Sequence, residues 1–102
     1  MGAIMNEDRF GVVQVTLTPS SISANSTAEQ TFTVPGLTTN MFVEVSKPSH
    51  SSGVVIGNAR VSAANQIAIQ FSNVTASPVT PAAETYLVFW MKPEKTPSSV
   101  NP

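Results

Sequence analysis

The chain has no cysteine. That excludes disulfide bridges, a thiolate nucleophile and most structural zinc sites, so a small domain of this kind must draw its stability from its core or from assembly. Charge is scarce as well: 11% of residues are Asp, Glu, Lys or Arg, against about 25% in ordinary globular chains. The surface must therefore be covered by Ser, Thr, Asn and Gln, which do little to repel further copies of the same protein. The basic residues Arg9, Lys47, Arg60, Lys92 and Lys95 are scattered, and the net charge is −1. No basic stripe exists to neutralise phosphates, which excludes the usual nucleic-acid binders. His50 is the only histidine, so no two-histidine metal site can be assembled. Gly53 and Gly57 flank strand residues and open no helix, so a phosphate-binding glycine loop is also missing. Apolar runs stay far below the roughly 18 residues of a membrane span. Residues Met1 to Arg9 lack the basic-then-apolar order of a secretion signal.

What the chain does contain is β-periodicity. At 102 residues it is long enough for one small core and not for two. Ala59-Arg60-Val61-Ser62 and Gln66-Ile67-Ala68-Ile69-Gln70-Phe71 alternate large apolar with small or polar side chains, as half-buried strands do. Ala63-Ala64-Asn65 between them predicts a three-residue hairpin loop with Asn65 left-handed. Phe10 to Leu17, Gln30 to Val34 and Met41 to Ser46 read as further strands, with Ser23 to Thr27 as a polar loop and Pro35-Gly36 as a type II turn. Val54 to Ser62 reads as a long strand with a bulge at Gly57. Thr75 to Glu84, rich in Pro and Thr, is long enough to cross between sheets. The last strand, Thr85 to Met91, is apolar on both faces: Tyr86, Val88 and Trp90 on one, Leu87, Phe89 and Met91 on the other. Such a strand is either central between two layers or meets another molecule with half its surface. No amphipathic helix emerges. The expected fold is all-β, a small sandwich or barrel of about six to seven antiparallel strands over residues 10–92, with an N-terminal arm (1–9) and a proline-rich tail (93–102).

Candidate chemistry is sparse. Glu7, Asp8, Glu29, Glu44, Glu84 and Glu94 are the carboxylates, and only Glu7-Asp8 adjoin, in the arm, so a pair of acids across a cleft is not foreseen. His50 sits in Ser49-His50-Ser51-Ser52, either a solvated loop residue or a catalytic base or intersubunit ligand. Arg60 is either an exposed strand residue lying over the sheet or half of an interface salt bridge. Phe89-Trp90-Met91 is either core or a contact surface, since aromatics and Met are enriched at interface centres. Asn25-Ser26-Thr27 and Asn73-Val74-Thr75 match a glycosylation pattern, but chance accounts for both in so Ser/Thr/Asn-rich a chain.

Thr31-Phe32-Thr33-Val34-Pro35-Gly36-Leu37-Thr38-Thr39, Val43 to Pro48, and above all N-A-R-V-S-A-A-N-Q-I-A-I-Q-F at 58–71, followed by Asn73-Val74-Thr75, Pro81 and Glu84-Thr85-Tyr86, form a pattern that resembles small structural proteins of tailed bacteriophages. The resemblance spans residues 30 to 91 and leaves the first 29 residues and the tail outside it. It implies a virion component on the capsid surface, a cement or decoration protein that binds the major capsid protein as an oligomer, with a trimer favoured. A tail fibre, spike or adaptor module recognising host glycan or protein is the alternative, with the Ser46 to Ser52 loop and the aromatic cluster at one tip. It implies no catalytic residues. The expectation is thus a protein that is not an enzyme, with no cofactor, metal, nucleic-acid or membrane partner. Its interface candidates are Ile4, Met5, Arg60, Phe89, Trp90 and Met91.

Overall fold

The computed structural model describes residues 9–93. Ile4 and Met5, and the tail beyond Pro93, lie outside the described residues. Six strands follow in order: β1 (Phe10–Leu17), β2 (Ser26–Thr33), β3 (Phe42–Ser46), β4 (Val54–Ala63), β5 (Gln66–Asn73) and β6 (Glu84–Met91). They form two antiparallel three-stranded sheets, β1-β6-β3 and β2-β5-β4, and there is no helix among the described residues. This is a small β-sandwich. Only the β4-β5 hairpin stays within one sheet; every other connection crosses between the layers, including the proline-containing stretch that leads from β5 to β6. β5 and β6 are accordingly the central strands.

The core forms where the inward residues of the two sheets meet. Leu17, Val43, Tyr86 and Val88 come from one, and Val61, Ile67, Ile69 and Phe71 from the other. Ile22, Val34 and Leu37 from the crossing loops close its ends. Along β4 the inward residues are Ile56 and then Ala59, three apart, a spacing that simple alternation forbids. The bulge at Gly57 absorbs the extra residue, so Ile56 still faces Phe71 while Ala59 faces Ile69.

The hairpin closes one residue tighter than expected. The ladder continues to the Ala63–Gln66 pair and leaves Ala64-Asn65 as the turn, with Asn65 at φ 63° as its position requires. Asn65 also ties this tip to the Pro35-Gly36 turn. Its carbonyl accepts from Val34 N (2.9 Å), its amide donates to Leu37 O (2.8 Å), and its side-chain oxygen accepts from Gly36 N (2.7 Å). Gly36 has φ 100°, as a type II turn demands.

β2 departs from expectation by beginning at Ser26, inside what the sequence reads as a loop. Its first half, Ser26-Thr27-Ala28-Glu29, has no apolar alternation; its conformation is set by pairing with β5 from Ser26–Asn73 onward.

Two side chains missed by the sequence reading hold the crossovers. Asn73 is 1% exposed, and its amide nitrogen faces the carbonyls of Ile22 (3.0 Å), Ser23 (3.2 Å) and Ser77 (2.8 Å). Its oxygen accepts from Thr75 N (2.9 Å) and Oγ1 (2.7 Å), so every polar atom of a buried amide is engaged. Tyr86, fully buried at the start of β6, donates its hydroxyl to Ala82 O four residues upstream at 3.3 Å, the arrangement known as a tyrosine corner in other sandwiches.

Candidate functional site

The outer face of the β1-β6-β3 sheet carries most of the exposed large apolar side chains, and its composition follows from register. β1 and β3 both pair with β6, so side chains on that face stand in rows. Phe10, Met91 and Phe42 make the first row, Val12, Phe89 and Glu44 the second, and Gln14, Leu87 and Ser46 the third, with Thr16 and Thr85 beyond. The face is therefore graded, apolar at one end and polar at the other. Phe89 lies at the centre of the apolar end, with the rings of Phe10 and Phe42 each 6.5 Å from its own, the second edge-on. Despite that clustering, Phe10 is 65% exposed, Val12 60%, Phe42 53%, Leu87 40% and Met91 41%.

The two faces of β6 thus part company. Trp90 turns inward and lies against Gly11, so close that a Cβ there would come within 2.9 Å of the indole; only glycine leaves room for the ring. The outward edge of Trp90 carries Lys92, its Nζ 5.8 Å from the ring centroid. Phe89 and Met91 point outward. Of the sequence candidates, Phe89 and Met91 share the apolar face, Trp90 supports it from beneath, and Arg60 is on the other sheet.

Arg60 holds Glu29 in a bidentate pair, Nε to Oε2 at 2.7 Å and Nη2 to Oε1 at 2.8 Å. The pair spans the central strand β5, bridging β4 to β2 above Ala68, whose methyl is fully buried although it belongs to the outer face. The Arg60 hydrogen bond holds the Glu29 carboxyl below its ordinary range, and Glu29 in turn raises Arg60. Arg60 thus has its partner within its own chain.

The Ser46 to Ser52 loop does not share a tip with the aromatics. It follows Ser46, at the polar end of the rows, whereas Phe42 and Met91 mark the other end. Lys47 organises it by donating to Ser49 O (2.8 Å) and Ser51 Oγ (2.8 Å) and pairing with Glu84 Oε2 (2.9 Å), while Ser49 Oγ also donates to Glu84 (2.9 Å). The hydrogen bond from Lys47, then that from Ser49, holds the Glu84 carboxyl below its ordinary range. His50 stays exposed on this loop.

A cleft of about 350 Å³ opens between the edge strands β3 and β4, with Glu44 and Arg60 among its lining residues. One carboxylate and an arginine already held by Glu29 supply neither a pair of acids nor a nucleophile with a base. Among the described residues no cluster of three His, Asp or Glu side chains could hold a metal ion.

Comparison with family models, with curated proteins and with solved structures returns no match.

Proposed function

We propose that this protein is a non-enzymatic structural component of a phage virion, a capsid decoration protein. It would assemble with copies of itself, a trimer in the first instance, on the outer surface of the head. The observation that supports this reading most is the graded apolar face of the β1-β6-β3 sheet. Isolated exposed apolar residues are ordinary, but a contiguous cluster built round Phe10, Phe42 and Phe89 marks a surface covered by another protein.

The magnitudes favour a repeated, modest contact. Burying a large apolar side chain fully contributes about 1.5–3 kcal/mol. Each of the five with half or so of its surface exposed would thus add about 1 kcal/mol, roughly 5 kcal/mol in all. Association costs about 4–15 kcal/mol, so this face by itself gives at best weak pairing. Many such contacts acting together on a closed shell multiply their effect without any single strong bond. A surface so low in charge also leaves little repulsion between neighbouring copies.

Light scattering over a wide concentration range tests the reading. The expected result is a concentration-dependent oligomer that persists at high salt, because the contact is apolar. A monomer at every concentration would overturn it.

A further inference from the structure

Both chain ends leave the sandwich at the apolar end of the face. Lys92 N donates to Arg9 O at 2.8 Å, and the Arg9 guanidinium donates to Pro93 O at 2.7 Å. The two segments therefore run side by side, antiparallel, one step past the Phe10–Met91 pair that ends the ladder. Residues 1–8 continue from Arg9 and carry an apolar group, Ala3-Ile4-Met5, behind the polar Asn6-Glu7-Asp8.

We propose that Ala3, Ile4 and Met5 of one copy cover the apolar sheet face of the next, so that copies join by handing on their N-terminal arms. This rests on the reading of that face as a contact between copies. Three observations favour it.

The first is area. Three strands about 4.8 Å apart and about 26 Å long present roughly 400 Å², about half of the ~800 Å² per partner in a standard interface. The face alone is too small, and the arm adds surface where the face is most apolar.

The second is reach. From Arg9 back to Ile4 is about 17 Å of extended chain, against about 13 Å from the Met91 row to the Leu87 row.

The third is direction. At Arg9 the chain still runs in the direction of β1, past the Phe10–Met91 end of the ladder, alongside Lys92 and Pro93. Returning over its own Phe89 would require a reversal within Asn6 to Asp8 and leave few residues for contact. Reaching a neighbour requires none. Such a contact is head-to-tail, with a donor end on one copy and an acceptor face on the next, so it closes into a ring when the rotation permits.

The absence of native cysteine gives a clean test. A full-length chain carrying Ile4→Cys and Leu87→Cys is treated with a short bismaleimide and run on a denaturing gel. The expected product is a ladder of covalently joined chains. A product of single-chain mass only, or no cross-link in a solution that light scattering shows to be oligomeric, would overturn the exchange.

In parallel, Ile4→Asp with Met5→Asp is expected to raise the midpoint concentration of association at least tenfold, with the circular dichroism of the fold unchanged. If that midpoint stays put while Phe89→Lys shifts it, the arm exchange is overturned and the face remains the contact. If neither shifts it, the reading of the face is overturned too.

Discussion

On the β2-β5-β4 sheet the outer face consists of Thr27, Thr31, Gln66, Gln70 and Ser62 around the Arg60–Glu29 bridge, with Val55 as its large apolar side chain. On the β1-β6-β3 sheet the same kind of surface carries Phe10, Val12, Phe42, Leu87, Phe89 and Met91 before it fades to Gln14, Ser46 and the Thr16–Thr85 hydroxyl pair. Strand number and pairing are the same in both sheets. The chain therefore has a way of wetting a sheet face and uses it on one side only. Exposed aromatics are thus a property of the β1-β6-β3 face, and they are concentrated beside Arg9 and Pro93.

The contrast can be broken most forcefully by making the apolar face resemble the polar one. Phe10→Thr, Phe42→Thr and Met91→Thr together should raise the concentration needed for association about 100-fold, since each side chain adds about 1 kcal/mol to the contact and about 1.4 kcal/mol is a factor of ten. Thermal melting should not fall correspondingly, because these side chains contribute little to the core. An unchanged association midpoint in sedimentation would erase the distinction between the faces.

Asn73→Leu sharpens the comparison from within. It strips partners from Thr75 N and from the carbonyls of Ile22, Ser23 and Ser77, and should cost about 3 kcal/mol in urea unfolding. Association of the folded chain should be untouched; a loss of assembly without a loss of stability would contradict the separation of fold from face.

Tyr86→Phe is a smaller change, about 1 kcal/mol for the lost hydrogen bond. It also has a pH signature. Burial, with the nearby Glu84 charge, pushes the Tyr86 phenol up from 10.0 to about 12. The folded chain thus keeps the proton that the unfolded chain gives up, so this stabilisation is complete below pH 10 and is lost as pH rises from 10 to about 12. Unfolding titrations should show that alkaline decline in the parent and lack the Tyr86 contribution in the Phe variant.

Least of all should come from Arg60→Ala. Its pair with Glu29 is solvent-exposed, and exposed pairs contribute little and less in salt. The expected melting shift is smaller than that of Tyr86→Phe and vanishes in molar salt, with association unaltered. A change in oligomeric mass would make the polar face a contact as well.

Much of this architecture can be read from residue periodicity. β1, β4, β5 and β6 reveal themselves by alternation or by continuous apolar character, Gly57 by breaking it, and Pro35-Gly36 and Asn65 by their turn chemistry. β2 was legible only from Gln30 onward, because the edge strand's earlier half takes its shape from the backbone of β5 and not from side chains of its own. Gln30 further disguises the region: its side chain both accepts from Ser20 N (2.8 Å) and donates to Ser20 O (2.9 Å), taking the place of a neighbouring strand. Asn73 looked like a chance glycosylation match. The available signal was an Asn at a strand end with Thr two residues on, which is also the pattern of a side chain closing a turn on its own backbone. At β6, alternation named the two faces but could not choose between them. That choice depends on the glycine at position 11, which admits Trp90 to the inner side and so commits Phe89 and Met91 to the outer.

Because Arg9 and Pro93 lie side by side next to Phe10 and Met91, a bulky group attached beside either of them would crowd the proposed contact rows. The Ser49 to Gly53 loop stands at the opposite end of β3, pinned by Lys47 to Glu84. A cargo spliced in there would project away from the apolar rows and leave the proposed contact face free.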